Sequence, residues 1–269
     1  MNVLKGWDGY NTHINMSNLA NYVRNNFKGM LVFGDIHSDY ESLMKAHKFA
    51  VDNELFFMSL GDLVDRGPFP YETVSHMSTF VNEGKAGFTW GNHDVKFHRF
   101  AAGEKVSLSV DARRTLADVG PERQEEFLKM YTGIVDNAEY SGLFHVFDDI
   151  LLVHAASHTS MWTGLTKTGN SQTARALYGE VNGERHENGF PVRLYNWINE
   201  IPMGKTVIVG HDRAPILNVP ISEPMVKINS NGGKAMFIDT GCGKGGFLTG
   251  AIILNNKKQF KFDRFVDFK

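Results

Sequence analysis

Short apolar runs that break off abruptly into clusters of Asp, His and Asn constrain this chain more than any other feature. Met30-Leu31-Val32-Phe33 runs into Gly34-Asp35-Ile36-His37, and Leu55 to Leu60 runs into Gly61-Asp62-Leu63-Val64-Asp65-Arg66-Gly67. Ile150 to Val153 ends in His154-Ala155, Thr206 to Val209 ends in Gly210-His211-Asp212, and Gly91-Asn92-His93-Asp94 forms a further cluster of the same kind. Ala235 to Ile238 is one more apolar run. Such runs are too short for helices and fit strands buried on both faces. Between the first two, residues 40–52 carry Leu43, Ala46, His47 and Ala50 at helical spacing. Residues 71–83 do the same with Val74, Met77 and Val81, after Pro68 and Pro70 and before Gly84. Residues 97–139 lack a strand pattern and read as two or three helices; 247–254 and 259–265 read as closing strands. The alternation predicts an α/β fold, in which the functional crevice lies beyond the carboxyl ends of the strands. The polar clusters stand there.

The chain has 269 residues, enough for one large domain or two small ones. No repeat or Pro-rich linker divides it, so 29–269 is expected to form one domain. Residues 1–28, Asn-rich with one short helix opened by Ser17 as N-cap, read as a peripheral extension. Lys+Arg 28 against Asp+Glu 30 leaves a net charge of −2. That balance argues against extended duplex nucleic acid or a membrane surface as partner, while leaving the chain free to grip a single phosphate. A single Cys242 cannot form an intrachain disulfide, and no apolar leader or run of about 18 apolar residues is present. A cytoplasmic setting is expected.

Asp35 and His37 are two apart, so on an extended segment both side chains can reach one cation. Asp62, after the next strand, can give its two carboxylate oxygens to different cations. Asn92, His154 and His211 then offer an amide oxygen and imidazole nitrogens to a second. Carboxylate, imidazole and amide without thiolate suit Mn²⁺, Fe or Zn²⁺ better than Ca²⁺ or a structural zinc. Two divalent ions about 3.5–4 Å apart would activate water, hold phosphate oxygens and neutralise charge in an in-line displacement. His93 is then placed to protonate the leaving alkoxide, with Asp65 orienting its imidazole, and Arg66 offers a bidentate fork to the phosphate. Any one of these clusters alone is an ordinary turn or strand end. Their recurrence at successive strand ends separates them from that background, and leaves His13, His47, His76, His98, His145, His158 and His186 as surface or core residues.

These clusters resemble the signature of the calcineurin-like metallophosphoesterases, in the branch of the phosphoprotein phosphatases and symmetrical dinucleoside tetraphosphatases, from about Met30 to Leu254. The resemblance implies a four-layer α/β/β/α sandwich, two metals with Mn²⁺ common, and the roles given above to Asp35, His37, Asp62, Asn92, His93, His154 and His211. Downstream, Arg175-Ala176-Leu177-Tyr178-Gly179-Glu180, Asn182-Gly183-Glu184, Gly189-Phe190-Pro191-Val192-Arg193, Tyr195-Asn196-Trp197 and Ile238-Asp239-Thr240-Gly241-Cys242 look like the phosphatase domain of bacterial polynucleotide kinase-phosphatase. That likeness makes Asp239 a site residue; Arg193 is a candidate second phosphate contact, weighed against a structural ion pair. Three departures stand out: Ser38 for the usual Gly, Trp90 where protein phosphatases carry Arg, and Asp212-Arg213 after His211. The expected reaction is hydrolysis of phosphate monoesters at RNA or nucleotide ends. Protein serine/threonine phosphatase and symmetrical dinucleoside tetraphosphate hydrolase are alternatives. An inactive binding scaffold ranks last, because every expected ligand type is present.

Overall fold

Alternation within the apolar runs decides how they stack. The structure, a computed structural model, describes residues 16–163, 169–187, 189, 191–213 and 223–269. In chain order its first half comprises α1 (Met16–Asn26), β1 (Gly29–Phe33), α2 (Tyr40–Asp52), β2 (Leu55–Ser59), α3 (Pro70–Asn82), β3 (Ala86–Thr89), α4 (Asn92–Ala101), α5 (Val110–Val119) and α6 (Gln124–Val135). Then follow β4 (Ser141–Gly142), β5 (Phe144–Phe147), β6 (Ile150–Val153), α7 (Asn170–Tyr178), β7 (Glu180–Arg185), β8 (Pro191–Leu194), β9 (Thr206–Val209), β10 (Met225–Ile228), β11 (Lys234–Phe237), β12 (Leu248–Asn255) and β13 (Phe260–Phe268).

One sheet has the order β13-β12-β1-β2-β3-β4, parallel from β1 to β4 and antiparallel at β12 and β13. The second has the order β10-β11-β9-β6-β5, parallel through β11, β9 and β6. Met30, Val32, Phe56, Met58, Leu152, Ile208, Met236 and Ile238 form the core between the sheets. Their sequence neighbours Leu31, Phe33, Phe57, Leu151, Val153, Val207 and Val209 belong instead to a cluster with Leu43, Ala46, Val74 and Met77 of the helices and with Ala176, Leu177 and Trp197. A period of two thus sends successive side chains into different layers, and each buried Phe, Met or Leu contributes about 1.5–3 kcal/mol. The result is the expected four-layer α/β/β/α sandwich.

Several elements differ from the sequence reading. Helix α1 already includes Ser17, so Ser17 is not its cap. Leu19, Ala20 and Val23 of α1 are buried in the inter-sheet core, and Arg24 pairs with Asp148 at 2.8 Å. Strand β3 carries only Ala86 and Phe88 as apolar side chains, too few to announce it by hydropathy. Strand β7 is largely solvent-facing with a polar sequence, β8 is half-buried, and the pair shows no alternation to read. Residues 97–139 do hold helices only: the rest of α4, then α5 and α6.

Candidate metal centre

The strand ends converge because their first residues turn sharply and bond to one another. Leu60 N donates to Phe33 O at 3.0 Å, Ile36 and His37 N to Asp62 O at 3.2 and 3.1 Å, and Gly210 N to His154 O at 2.9 Å. His37, Ser38, Asp62, Asp65, Arg66 and His211 all have positive φ, between 48° and 75°. For side chains with a Cβ this is costly backbone, and its concentration at one spot marks a functional hypothesis. Ser38, at φ 60°, occupies a conformation that glycine adopts freely, which explains the usual residue there. Gly91 is required for space: a Cβ would fall 2.3 Å from Asp62 Oδ1.

Asp35, His37 and Asp62 offer ligand atoms within 4.8 Å of one another, and so do Asp62, His154 and His211. Asp62 is common to both groups. Asn92 Oδ1 lies 3.2 Å from His154 Nε2, which is 2.9 Å from His211 Nδ1 and 3.6 Å from Asp62 Oδ2. His37 Nδ1 donates to Val64 O at 2.9 Å and His154 Nδ1 to Leu60 O at 2.8 Å, so each ring turns its Nε2 toward the crevice. Asp35 Oδ2, His37 Nε2 and His211 Nε2 are buried without a hydrogen-bond partner. Buried polar atoms left unpaired cost about 1–3 kcal/mol each unless something binds them. A donor set of carboxylate, imidazole and amide oxygen, in which Asp35 Oδ2 and His37 Nε2 have no hydrogen-bond partner, fits two divalent cations. Burial disfavours the His154 imidazolium, yet Asp62 and Asp35 outweigh it and raise its pKa. Burial and His154 itself hold His211 well below the usual imidazole range.

His93 lies in the first turn of α4. Its Nδ1 donates to Asp65 Oδ2, while Asp65 Oδ1 accepts from Thr115 Oγ1 at 2.7 Å, and Nε2 stands 3.8 Å from Asp62 Oδ2. Burial opposes the charged ring, but Asp62 and Asp65 prevail and raise the His93 pKa. An imidazolium acting as acid must be protonated, so turnover should fall as pH rises through its pKa. Asp65→Asn removes part of what raises that pKa, and the alkaline limb of kcat/KM should move to lower pH; an unmoved limb in a pH series would remove Asp65 from this role.

Asp94 went unassigned in the sequence, yet it ties the crevice together. Its carboxylate accepts from Asp62 N at 2.7 Å, Gly91 N at 2.8 Å, Leu63 N at 3.1 Å and Tyr131 Oη. Burial and the nearby Asp62 push its pKa up to about 6. Asp94→Asn should lower stability by about 1–3 kcal/mol, because an amide NH₂ would face backbone donors. A thermal melt matching the parent would disprove this.

The remaining candidates differ in burial. Arg66 is partly exposed and its Nε is 3.6 Å from Asp111. Arg193 Nε pairs with Asp212 Oδ1 at 3.2 Å, its Nη1 is buried without a partner, and Tyr195 Oη donates to Asp212 Oδ2 at 3.2 Å. The ion pair weighed for Arg193 is therefore present, with one guanidinium nitrogen left open. Asp239 accepts from Gly241 N at 3.0 Å and faces Lys244 Nζ at 3.4 Å. Burial and Asp35 push its pKa up to about 7. Lys244 was missed: a lone Lys in a Gly-rich turn carries no pattern. Trp90 is buried and donates to Val135 O at 3.1 Å, a packing contact. Cys242 is buried as a packing residue. His13 and Phe190 lie outside the described residues.

The sequence profile described as calcineurin-like phosphoesterase matches residues 30–235. Asymmetrical bis(5'-nucleosyl)-tetraphosphatase PrpE of Halalkalibacterium halodurans is 27% identical over 230 residues, covering 81% of this chain and 87% of the relative. The protein of that name from Anoxybacillus flavithermus is 28% identical over 229 residues, with the same coverage. Among solved structures, a diadenosine tetraphosphatase candidate superposes with TM-score 0.54 at 17% identity, over 91% of this chain and 96% of the other. A protein serine/threonine phosphatase from Saccharomyces cerevisiae superposes with TM-score 0.51 at 11% identity, over 96% and 89%. These likenesses bear on the fold alone.

Proposed function

Because the chain belongs to the calcineurin-like phosphoesterase family and is thereby a metal-dependent phosphatase, we propose that it hydrolyses phosphate groups of nucleotides, with dinucleoside tetraphosphates as first candidates and RNA or nucleotide ends second. The observation that carries the chemistry is the pair of buried atoms Asp35 Oδ2 and His37 Nε2, which have no hydrogen-bond partner, in a group with Asp62, which itself shares a second group with His154 and His211. Asp35, His37 and Asp62 would hold one divalent cation, and Asp62, Asn92, His154 and His211 the other; Mn²⁺ is the ion to try first, then Fe and Zn²⁺. When bound, such a pair supplies Lewis acidity and activated water for in-line displacement.

The chain's own residues do the rest. Arg66 grips the phosphate oxygens, with Arg193 Nη1 as a second contact and the Asn92 amide beside them. His93 gives its Nε2 proton to the leaving oxygen, and Asp65 holds the ring by Nδ1 so that Nε2 faces the crevice. Asp239 acts beside Asp35 rather than directly on substrate, since both its carboxylate oxygens are engaged by Gly241 and Lys244.

The tetraphosphate reading is supported by relatives named for asymmetrical cleavage that align over most of both chains. The nucleic-acid-end reading is supported by the likeness of residues 175–197 to a polynucleotide phosphatase. Trp90 packs on α6 and offers the phosphate nothing, which disfavours a protein phosphatase. The test compares kcat/KM, with Mn²⁺ present, on diadenosine tetraphosphate, an RNA 3′-phosphate and a phosphoserine peptide. Products AMP and ATP mark asymmetrical cleavage, and two ADP mark symmetrical cleavage. A peptide preferred tenfold would overturn the nucleotide reading. With a net charge of −2, longer RNA should bind little better than a mononucleotide.

A further inference from the structure

A lysine enters the crevice that the proposed chemistry does not use. The turn from Asp239 to Gly246 closes through Lys244 N and Gly246 N donating to Gly241 O, both at 2.9 Å. Gly243, at φ 68°, presses so closely on His37 that a Cβ would fall 2.4 Å from the His37 carbonyl oxygen. This approach carries the Lys244 side chain inward, where it is only 7% exposed. Its Nζ stands 3.4 Å from Asp239 Oδ2 and 3.8 Å from Asp35 Oδ2. A buried ammonium persists only where carboxylates compensate it. One of its two partners is the Asp35 oxygen that has no hydrogen bond of its own and faces the first cation position.

We propose that Lys244 is a positioning residue whose fixed positive charge lowers the affinity of the Asp35–His37–Asp62 position for its divalent cation, and that Asp239 offsets this charge. The inference rests on the two-cation centre proposed above. A cation bound to Asp35 Oδ2 at about 2.1 Å would lie no more than about 6 Å from the ammonium, close enough for repulsion between like charges in a buried crevice. Asp239 draws the ammonium toward itself and cancels part of its field. Removing the lysine charge and removing the Asp239 charge therefore act in opposite directions. A purely structural role would not behave this way, because either substitution would loosen the same turn and weaken binding.

The full-length protein, stripped by chelation, is titrated with Mn²⁺ by calorimetry, with electron paramagnetic resonance reporting when a spin-coupled ion pair forms. Lys244→Met and Lys244→Gln should tighten one of two Kd values tenfold or more and form the coupled pair at lower Mn²⁺. Asp239→Asn should weaken the same Kd, and Lys244→Arg should stay near the parent; melting curves of the stripped proteins establish that each variant folds. Unchanged affinity in both neutral Lys244 variants, or weakening by Lys244 and Asp239 variants alike, overturns the proposal while leaving the two-cation centre standing. A parent protein that binds no Mn²⁺ overturns the centre itself and this inference with it.

Discussion

Asp62→Ala is expected to reduce kcat/KM by about 10³-fold or more and to leave the protein unable to hold two divalent cations. Asp62 is the residue shared by both candidate ligand groups, and it is buried between them. Its Oδ2 faces His154 Nε2 at 3.6 Å, and its Oδ1 accepts from His93 N at 3.0 Å, so it also anchors the start of α4. Removing it takes a ligand from each position at once. A two-metal centre contributes several kcal/mol to transition-state stabilisation, and each 1.36 kcal/mol is tenfold in rate. Asp62→Asn keeps an oxygen but removes the charge, and should fall between. Metal content after gel filtration and kcat/KM on the same sample provide the measurement. Two ions retained with near-parental turnover would sink the shared-ligand reading, as would full activity in a parent protein freed of metal by chelation.

His93→Ala should keep both cations and lose about 10²–10⁴-fold in rate on alkyl phosphates, the usual contribution of a positioned general acid. The ring is 12% exposed at its side chain and fixed by Asp65, whose other oxygen is held by Thr115, so its Nε2 has a defined aim. The loss should shrink with the leaving group's need for a proton. An alkoxide needs it most; p-nitrophenolate and the phosphate leaving group of a tetraphosphate anhydride need it less. Comparing an alkyl ester, p-nitrophenyl phosphate and diadenosine tetraphosphate in parent and variant tests this directly. An equal loss on all three would assign the His93 ring a structural or metal-positioning role rather than proton transfer.

Strands β1, β2, β6, β9 and β11 are legible in the order of residues alone, because long apolar side chains crowd short segments and leave no other way to bury both faces. Asp35, His37, Asp62, His154 and His211 stand where an apolar run stops, Asn92 and His93 form a polar cluster of the same kind, and parallel strands bring such ends to one edge. Asp65 and Arg66 belong to the same legible cluster. What holds those side chains in place emerges from contacts between distant segments. Asp94 stands in a marked cluster but shows no partner in the sequence, and its function as acceptor for Asp62 and Leu63 depends on segments 31–32 residues apart meeting through space. Lys244 and Asp239 acquire meaning only because Gly243 lets their turn lie on His37. Arg193 sits in a ribbon whose polar sequence has no period, and its nearness to His211 comes from an ion pair with Asp212. Helix α1 reads as peripheral in isolation, since its apolar residues are few, but the open edge between the sheets buries Leu19, Ala20 and Val23. Local hydropathy reports what a segment must bury, whereas hydrogen bonds and ion pairs between distant segments exist only once the chain has folded around them.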